Sequence, residues 1–311
     1  MIIQKKIISS IKVLASLILI LLISVSCSKD DNFIPDNNPP DYSNISAVKI
    51  ENYVNRLFID LLGREPLNTE MAAETTFLKE NDLSKDSRVE LIQRLQSNTD
   101  WVEGDSSYFI AYHKRLYDIA KVRTIEGVAD SDIQGSIGIA SFSLLQAELL
   151  GDSARASGAK QTIKNLEKVL SSQYEYREGL ISINEVFRRM INNRIFDEIN
   201  MNTLNFINAS FDLLLFRYPT QFEFDKSYSM IQHNESVFLM GSNGSNKSDY
   251  LDILVNNKEF YEGIIKWAYI QLVARQPESI ELAQHMQYFY PDADFYLLQQ
   301  NILKTDEYAN F

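Results

Sequence analysis

Three arginines in this 311-residue chain each stand two residues before a proline, and a glutamate follows each proline by four residues. They are Arg64 with Pro66 and Glu70, Arg217 with Pro219 and Glu223, and Arg275 with Pro277 and Glu281. A guanidinium fixed beside a turn can hold an anionic ligand through its fork of N–H donors. It can equally pair with the nearby glutamate and lock the turn, and a partly exposed pair of that kind contributes about 0–1 kcal/mol. Other reactive groups are sparse. His113, His233 and His285 lie far apart, and none sits in H-E-x-x-H. There is no Gly-rich phosphate loop and no nucleophile elbow. Asp130-x-Asp132 and Asp292-x-Asp294 offer hard oxygen ligands suited to calcium, but neither fits the longer EF-hand pattern, so solvated acids are the expectation. Glycoside hydrolysis needs two carboxylates at a set separation in space. Nothing in the sequence picks such a pair from 42 acids. No catalytic residue, metal or cofactor is nominated.

The elements around the arginines favour the structural use. FIDLLGREP (58–66), FDLLLFRYP (211–219) and YIQLVARQP (269–277) share one pattern, [FY]-x2-L-[LV]-x-R-x-P-x3-E. Before the first proline, Ile50, Tyr53, Val54, Leu57, Phe58, Leu61 and Leu62 recur at helical spacing. Arginine in a last helical turn faces the partial negative charge of the free carbonyls. Proline two residues on disfavours the α region for the residue before it and ends the helix. Gly63 suits a left-handed cap, yet Phe216 and Ala274 stand at the matching positions. Thr220-x-x-Glu223 fits a capping box that starts a second helix, and Thr69-Glu70 and Ser279-x-Glu281 are looser versions. Each copy also has a tail of an aliphatic residue, four variable residues, an acid and an aromatic: LQSNTDW (95–101), LVNNKEF (254–260) and ILKTDEY (302–308). The expectation is a helix–turn–helix staple used three times.

Residues 104–201 interrupt the pattern. YFIAYHKRLYDIA (108–120), 161–176 and 180–200 have helical spacing. The uncharged run 133–147 (IQGSIGIASFSLLQA) is too short to span a bilayer. It reads as a buried helix or packed loop, or as a contact surface for a partner protein. GDSARASGAK (151–160) and GSNGSNKSD (241–249) read as exposed loops. With no alternating strand pattern, the fold class is all-α: helical repeat units with a helical insertion, after a signal peptide and flexible tether. The divisions are 1–26 signal, 27–46 tether, 47–103 first repeat, 104–201 insertion, 202–260 second repeat and 261–311 third repeat.

The N-terminus supplies an address. Lys5, Lys6 and Lys12 precede the apolar run VLASLILILLISV, which has signal-peptide length. Ser24-Val25-Ser26-Cys27 resembles a bacterial lipobox, which implies cleavage before Cys27 and lipidation of it. Ser28-Lys29-Asp30-Asp31 resembles the short acidic signal that sends Bacteroidota lipoproteins to the outer face of the outer membrane. Residues 28–46 are rich in Asp, Asn and Pro and read as a flexible tether. Without residues 1–26 the chain has 27 basic against 42 acidic residues, a charge of −15. That disfavours nucleic acid and electrostatic docking on anionic lipid. Cys27 is the chain's only cysteine, so no disulfide or Cys-rich zinc site is expected.

Over residues 50–101 and 202–311, the L-G-R-x-P turn, the following helix and the closing acid–aromatic pair resemble two groups of helical bacterial domains. One is the uncharacterised domain accompanying planctomycete cytochrome-like proteins, although this chain has no haem attachment site. The other is the phycobilisome-linker-like repeat of secreted bacterial proteins. The linker-like repeats imply scaffolding or surface interaction, and neither group has settled catalytic residues to carry over. The expected protein is an outer-membrane lipoprotein, lipid-anchored and facing the cell exterior. It would act as a non-catalytic scaffold or accessory subunit that binds an envelope protein partner. A glycan-binding lipoprotein would instead need exposed aromatics on one face. A hydrolase would need a deep pocket of acids with perturbed pKa values.

Overall fold

Each arginine turn joins two helices in the computed structural model, which describes residues 42–311. The signal run, Cys27 and the Ser28–Asp31 signal lie outside the described residues. The first turn links α1 (Ala47–Leu62) to α2 (Asn68–Glu80), and α3 (Lys85–Ser97) follows. The insertion carries α4 (Tyr108–Ile125), α5 (Asp130–Leu149), α6 (Ser153–Arg177), α7 (Ile183–Ile191) and α8 (Arg194–Asn200). The second turn lies between α9 (Thr203–Leu215) and α10 (Gln221–His233). A short antiparallel hairpin, β1 (Val237–Leu239) with β2 (Ser242–Gly244), then leads to α11 (Lys247–Asn256). The third turn lies between α12 (Lys258–Val273) and α13 (Ser279–Asp292), before α14 (Phe295–Leu303) and α15 (Asp306–Ala309). The fold is all-α apart from that hairpin. No described helix is long and apolar enough to cross a membrane.

The same packing relations occur three times. α1 packs on α2, α3 and α4; α9 packs on α10, α11 and α12; α12 packs on α13, α14 and α15. α12 therefore closes the second set and opens the third. The chain end returns to its start, with α15 against α1 and α14 against α3. The apolar face of α1 predicted from spacing, Ile50 to Leu62, is the buried face. α9 and α12 approach so closely that a Cβ on Gly263 would lie 2.3 Å from the Leu214 carbonyl oxygen. Only glycine permits that crossing.

Four sequence expectations need correction. Residues 42–46, assigned to the tether, pack on the body: the Tyr42 hydroxyl donates to Asp306 Oδ1 (2.9 Å), and the buried Arg88 donates to that hydroxyl (2.8 Å). An aromatic ring with a cationic partner overrides the polar composition around it. The 151–160 loop is mostly the first two turns of α6. Asp152 caps it by accepting from Arg155 N–H, and Ala156 and Ala159 bury at helical spacing. The 241–249 loop contains β2 and the start of α11, capped by Asn246. Finally, the 133–147 run is neither a buried helix nor a loop. It lies on α5, where only Ile133, Ala140 and Ala147 are buried, spaced by seven along one edge.

Candidate functional site

The three arginine turns have matching geometry. Each first helix ends at a residue in the left-handed region: Gly63 (φ 77°), Phe216 (φ 56°) and Ala274 (φ 56°). The arginine follows this residue and so lies outside the helix, correcting its placement in the last turn. Its guanidinium forks onto the glutamate. Arg64 meets Glu70 at 2.7 and 2.8 Å, Arg217 meets Glu223 at 2.8 and 2.7 Å, and Arg275 meets Glu281 at 2.7 and 2.8 Å. The guanidinium carbon lies over the motif aromatic: Phe58 at 5.4 Å, Phe211 at 5.2 Å and Tyr269 at 5.2 Å. The same Nη1 also donates to the next carbonyl, of Glu65, Tyr218 or Gln276. Each Nε donates to a second acid at 2.6 Å: Asp105, Glu259 or Glu307. Glu259 and Glu307 are the acids of the tails. In the first copy the aligned acid and aromatic, Asp100 and Trp101, are not used. Trp101 is 76 % exposed, and Asp105 with buried Tyr108 stands in their place. The loop between 98 and 107 displaces the pair along the chain, which a gapless alignment cannot show.

The glutamates start the second helices. Glu70 accepts from Leu67 N–H, Glu223 from Thr220 N–H and Glu281 from Glu278 N–H. The helix N-caps are therefore Leu67 and Glu278, not Thr69 and Ser279, and only Thr220 returns a side-chain hydrogen bond. Pro66, Pro219 and Pro277 each sit between arginine and N-cap, where an amide proton is not needed. Hydrogen bonds from Arg217 hold the Glu223 carboxyl down at about 2, and those from Arg275 do the same for Glu281. At Glu70, burial pushes upward but is outweighed by the hydrogen bonds from Arg64, Leu67 N–H and Tyr108, so its pKa is lowered. With Nε, both Nη1 protons and at least one Nη2 proton engaged, these arginines have little capacity left for a ligand.

The remaining candidates resolve into local roles. Asp130 accepts from Tyr117 (2.8 Å) and Lys121 (2.7 Å), tying the base of α5 to α4. Asp294 caps α14 by accepting from Leu297 N–H (2.9 Å). No group of three or more His, Cys, Asp or Glu among the described residues is placed to hold a metal ion. His113 bonds the Phe109 carbonyl and the Tyr296 hydroxyl; His285 bonds the Tyr269 and Tyr288 hydroxyls. Burial lowers both histidine pKa values. A cavity of about 40 Å³, lined by Asp60, Arg115, Trp267, Phe295 and Gln299 among others, has room for only a few water-sized groups. Burial raises the Asp60 pKa, and it is the only carboxylate in that lining.

The largest departure from ordinary surface chemistry is on α5. It packs along α6 as a hairpin, and its opposite face exposes Ile139 (64 %), Phe142 (61 %), Leu145 (54 %) and Leu149 (78 %). Gly135 and Gly138 continue this stripe toward the N-terminus of the helix, with nothing within 4 Å of a Cβ built on either. The sequence showed the uncharged run. Its seven-residue period, Gly135, Phe142 and Leu149 alternating with Gly138 and Leu145, is also present in the spacing. Comparison of the chain with known protein families, with curated proteins and with solved structures finds no match.

Proposed function

We propose that the protein is a lipid-anchored outer-membrane scaffold or accessory subunit, facing the cell exterior, that binds an envelope protein through the exposed face of α5. The observation that carries this reading is the apolar stripe on a helix already satisfied by α6 on its other side. Contiguous exposed apolar surface of this kind marks protein contact on folded proteins. The lipobox-like sequence at Cys27 supplies the anchor, and the acidic residues after it supply the outward address. The three arginine turns support a structural rather than ligand-binding use of the motif, because their donors are engaged internally.

The test is capture from membranes. Tagged protein and its Phe142→Asp variant are solubilised gently from the outer membrane, and bound proteins are identified and quantified. A stoichiometric protein retained by the parent and lost by the variant is expected, with equal amounts of both baits. Equal capture by the two, or neither a captured protein nor self-association for either, would remove α5 as the contact.

A further inference from the structure

We infer that the partner seated on α5 is α5 of a second copy, packed antiparallel about a two-fold axis. This rests on the reading of α5 as a protein-contact face and names its occupant. The exposed stripe is a heptad seam, with Gly135, Phe142 and Leu149 at one position and Ser131, Gly138 and Leu145 at the other. Such a seam is the signature of a helix that packs lengthwise against another helix. It points away from Ile133, Ala140 and Ala147, which α6 already covers.

The distribution of sizes along the seam selects the arrangement. All small residues, Ser131, Gly135 and Gly138, are in the N-terminal half, and all large ones, Phe142, Leu145 and Leu149, are in the C-terminal half. Antiparallel pairing centred near Ala140 sets Phe142 on the partner copy's Gly138, Leu145 on Gly135 and Leu149 on Ser131. Every large side chain then meets a small one, twice over, as a two-fold contact requires. Parallel pairing would set glycine on glycine and Phe142 on Phe142, leaving a gap at one end and crowding at the other. The glycines support this independently. Each costs about 1 kcal/mol relative to alanine inside a helix. Neither is needed for internal packing, because a Cβ at either would meet nothing within 4 Å.

Charges flank both ends of the seam. Arg155 donates to Ser143 Oγ and Gln146 Oε1 and has no acid partner among the described residues. Asp132 is exposed and also has no ion-pair partner there. In the antiparallel pair Asp132 lies level with Glu148 of the other copy and about 3 Å along the helix from Gln146, which that copy's Arg155 holds. Glu148 keeps its own partner, Lys160, at that end of the seam. The three large seam side chains expose roughly 100 Å² each, so the pair buries on the order of 600 Å² from them, at the weak end for a specific interface. Anchoring both copies in one membrane raises their effective concentration and favours such a contact.

The experiment uses full-length protein in its membrane and a short bis-maleimide, with single variants Ser141→Cys and Ser131→Cys and the parent as background for Cys27. Ser141 sits beside the proposed axis, whereas the two Ser131 positions would be about 27 Å apart along the helices. The expected result is a dimer band at least tenfold stronger for Ser141→Cys than for Ser131→Cys. Gly138→Leu in the Ser141→Cys background should abolish that band while the melting temperature is held or raised. Equal cross-linking at both positions, or a band that survives Gly138→Leu, overturns the pairing. If no dimer forms but a different protein is captured by the parent and lost on Phe142→Asp, the self-pairing is wrong and the scaffold reading stands. If neither dimer nor partner is affected by Phe142→Asp, both fall.

Discussion

Arg64→Ala should destabilise the protein by about 2–3 kcal/mol, more than the equivalent change at Arg217 or Arg275. The difference follows from what each arginine leaves behind. Arg64 links Glu70, whose side chain is 11 % exposed, to Asp105 at 20 %. Arg217 links Glu223 at 15 % to Glu259 at 41 %, and Arg275 links Glu281 at 26 % to Glu307 at 46 %. Charge-assisted hydrogen bonds contribute about 1.5–3 kcal/mol when partly sheltered, and an abandoned carboxylate recovers part of this only if water reaches it. Water reaches Glu259 and Glu307 far better than Asp105. Glu70 would keep hydrogen bonds from Leu67 N–H and Tyr108, which caps the loss. Urea unfolding of parent, Arg64→Ala, Glu70→Gln and the double variant gives the coupling directly. A coupling of about 1–2 kcal/mol is expected for a sheltered bidentate pair. At this chain size the single variant should melt roughly 4–10 °C lower. A coupling below about 0.5 kcal/mol would refute the staple. So would loss of partner capture by Arg64→Ala with the melting temperature unchanged, which would make the arginine a binding residue.

Three further outcomes follow from the same geometry. Glu223 and Glu281 have folded pKa values near 2 against 4.5 for the free carboxyl, so their stabilisation is complete above about pH 4.5 and is lost as pH falls through 2. Circular dichroism during acid titration should show stability declining across that window, by about 1 kcal/mol per pair after solvent screening, and less in Glu223→Gln. Ala274→Gly should raise stability by about 0.5–1 kcal/mol, since Ala274 holds φ 56° at a cap where glycine is unstrained; thermal melting reads it. Gly263→Ala should cost more than about 3 kcal/mol, because its Cβ would sit 2.3 Å from Leu214 O and force α9 and α12 apart.

The arginine turns were legible because their determinants are local. Aromatic, arginine, proline and glutamate lie within thirteen residues, and a short turn brings them together whatever surrounds it. The second acids were half legible: Glu259 and Glu307 stood out in the tails, whereas Asp105 is displaced by a loop with no counterpart in the other copies. The insertion departs from its sequence expectation for a different reason. Gly, Ser and Ala at 151–160 have loop composition, yet small residues are also what lets α6 lie close against α5. Whether a small residue marks a turn or a close helix contact depends on its neighbour across the contact, which sequence order does not supply. The exposure of α5 has the same origin. An uncharged run is expected inside, and only the geometry reveals that α6 covers one edge and leaves the seam open.

Elsewhere the chain follows local rules closely. Among the described residues, ten helices have an N-cap side chain accepting a backbone N–H, and every motif arginine is engaged. α5 breaks those rules in one place, with two unneeded glycines and a stripe of large exposed apolar residues on the same seam. Local violations without an internal return are where function is expected to lie. If α5 served the fold alone, the combined variant Gly135→Ala, Gly138→Ala and Phe142→Gln would lose nothing. Two glycine replacements in a helix should add about 1–2 kcal/mol of stability. Removing the exposed ring costs the monomer little. The expected result is therefore a higher melting temperature together with loss of the Ser141→Cys cross-link and of membrane capture. A variant that gained stability and kept both would show that the seam is an accident of composition. One that lost stability would show that the glycines serve the monomer after all.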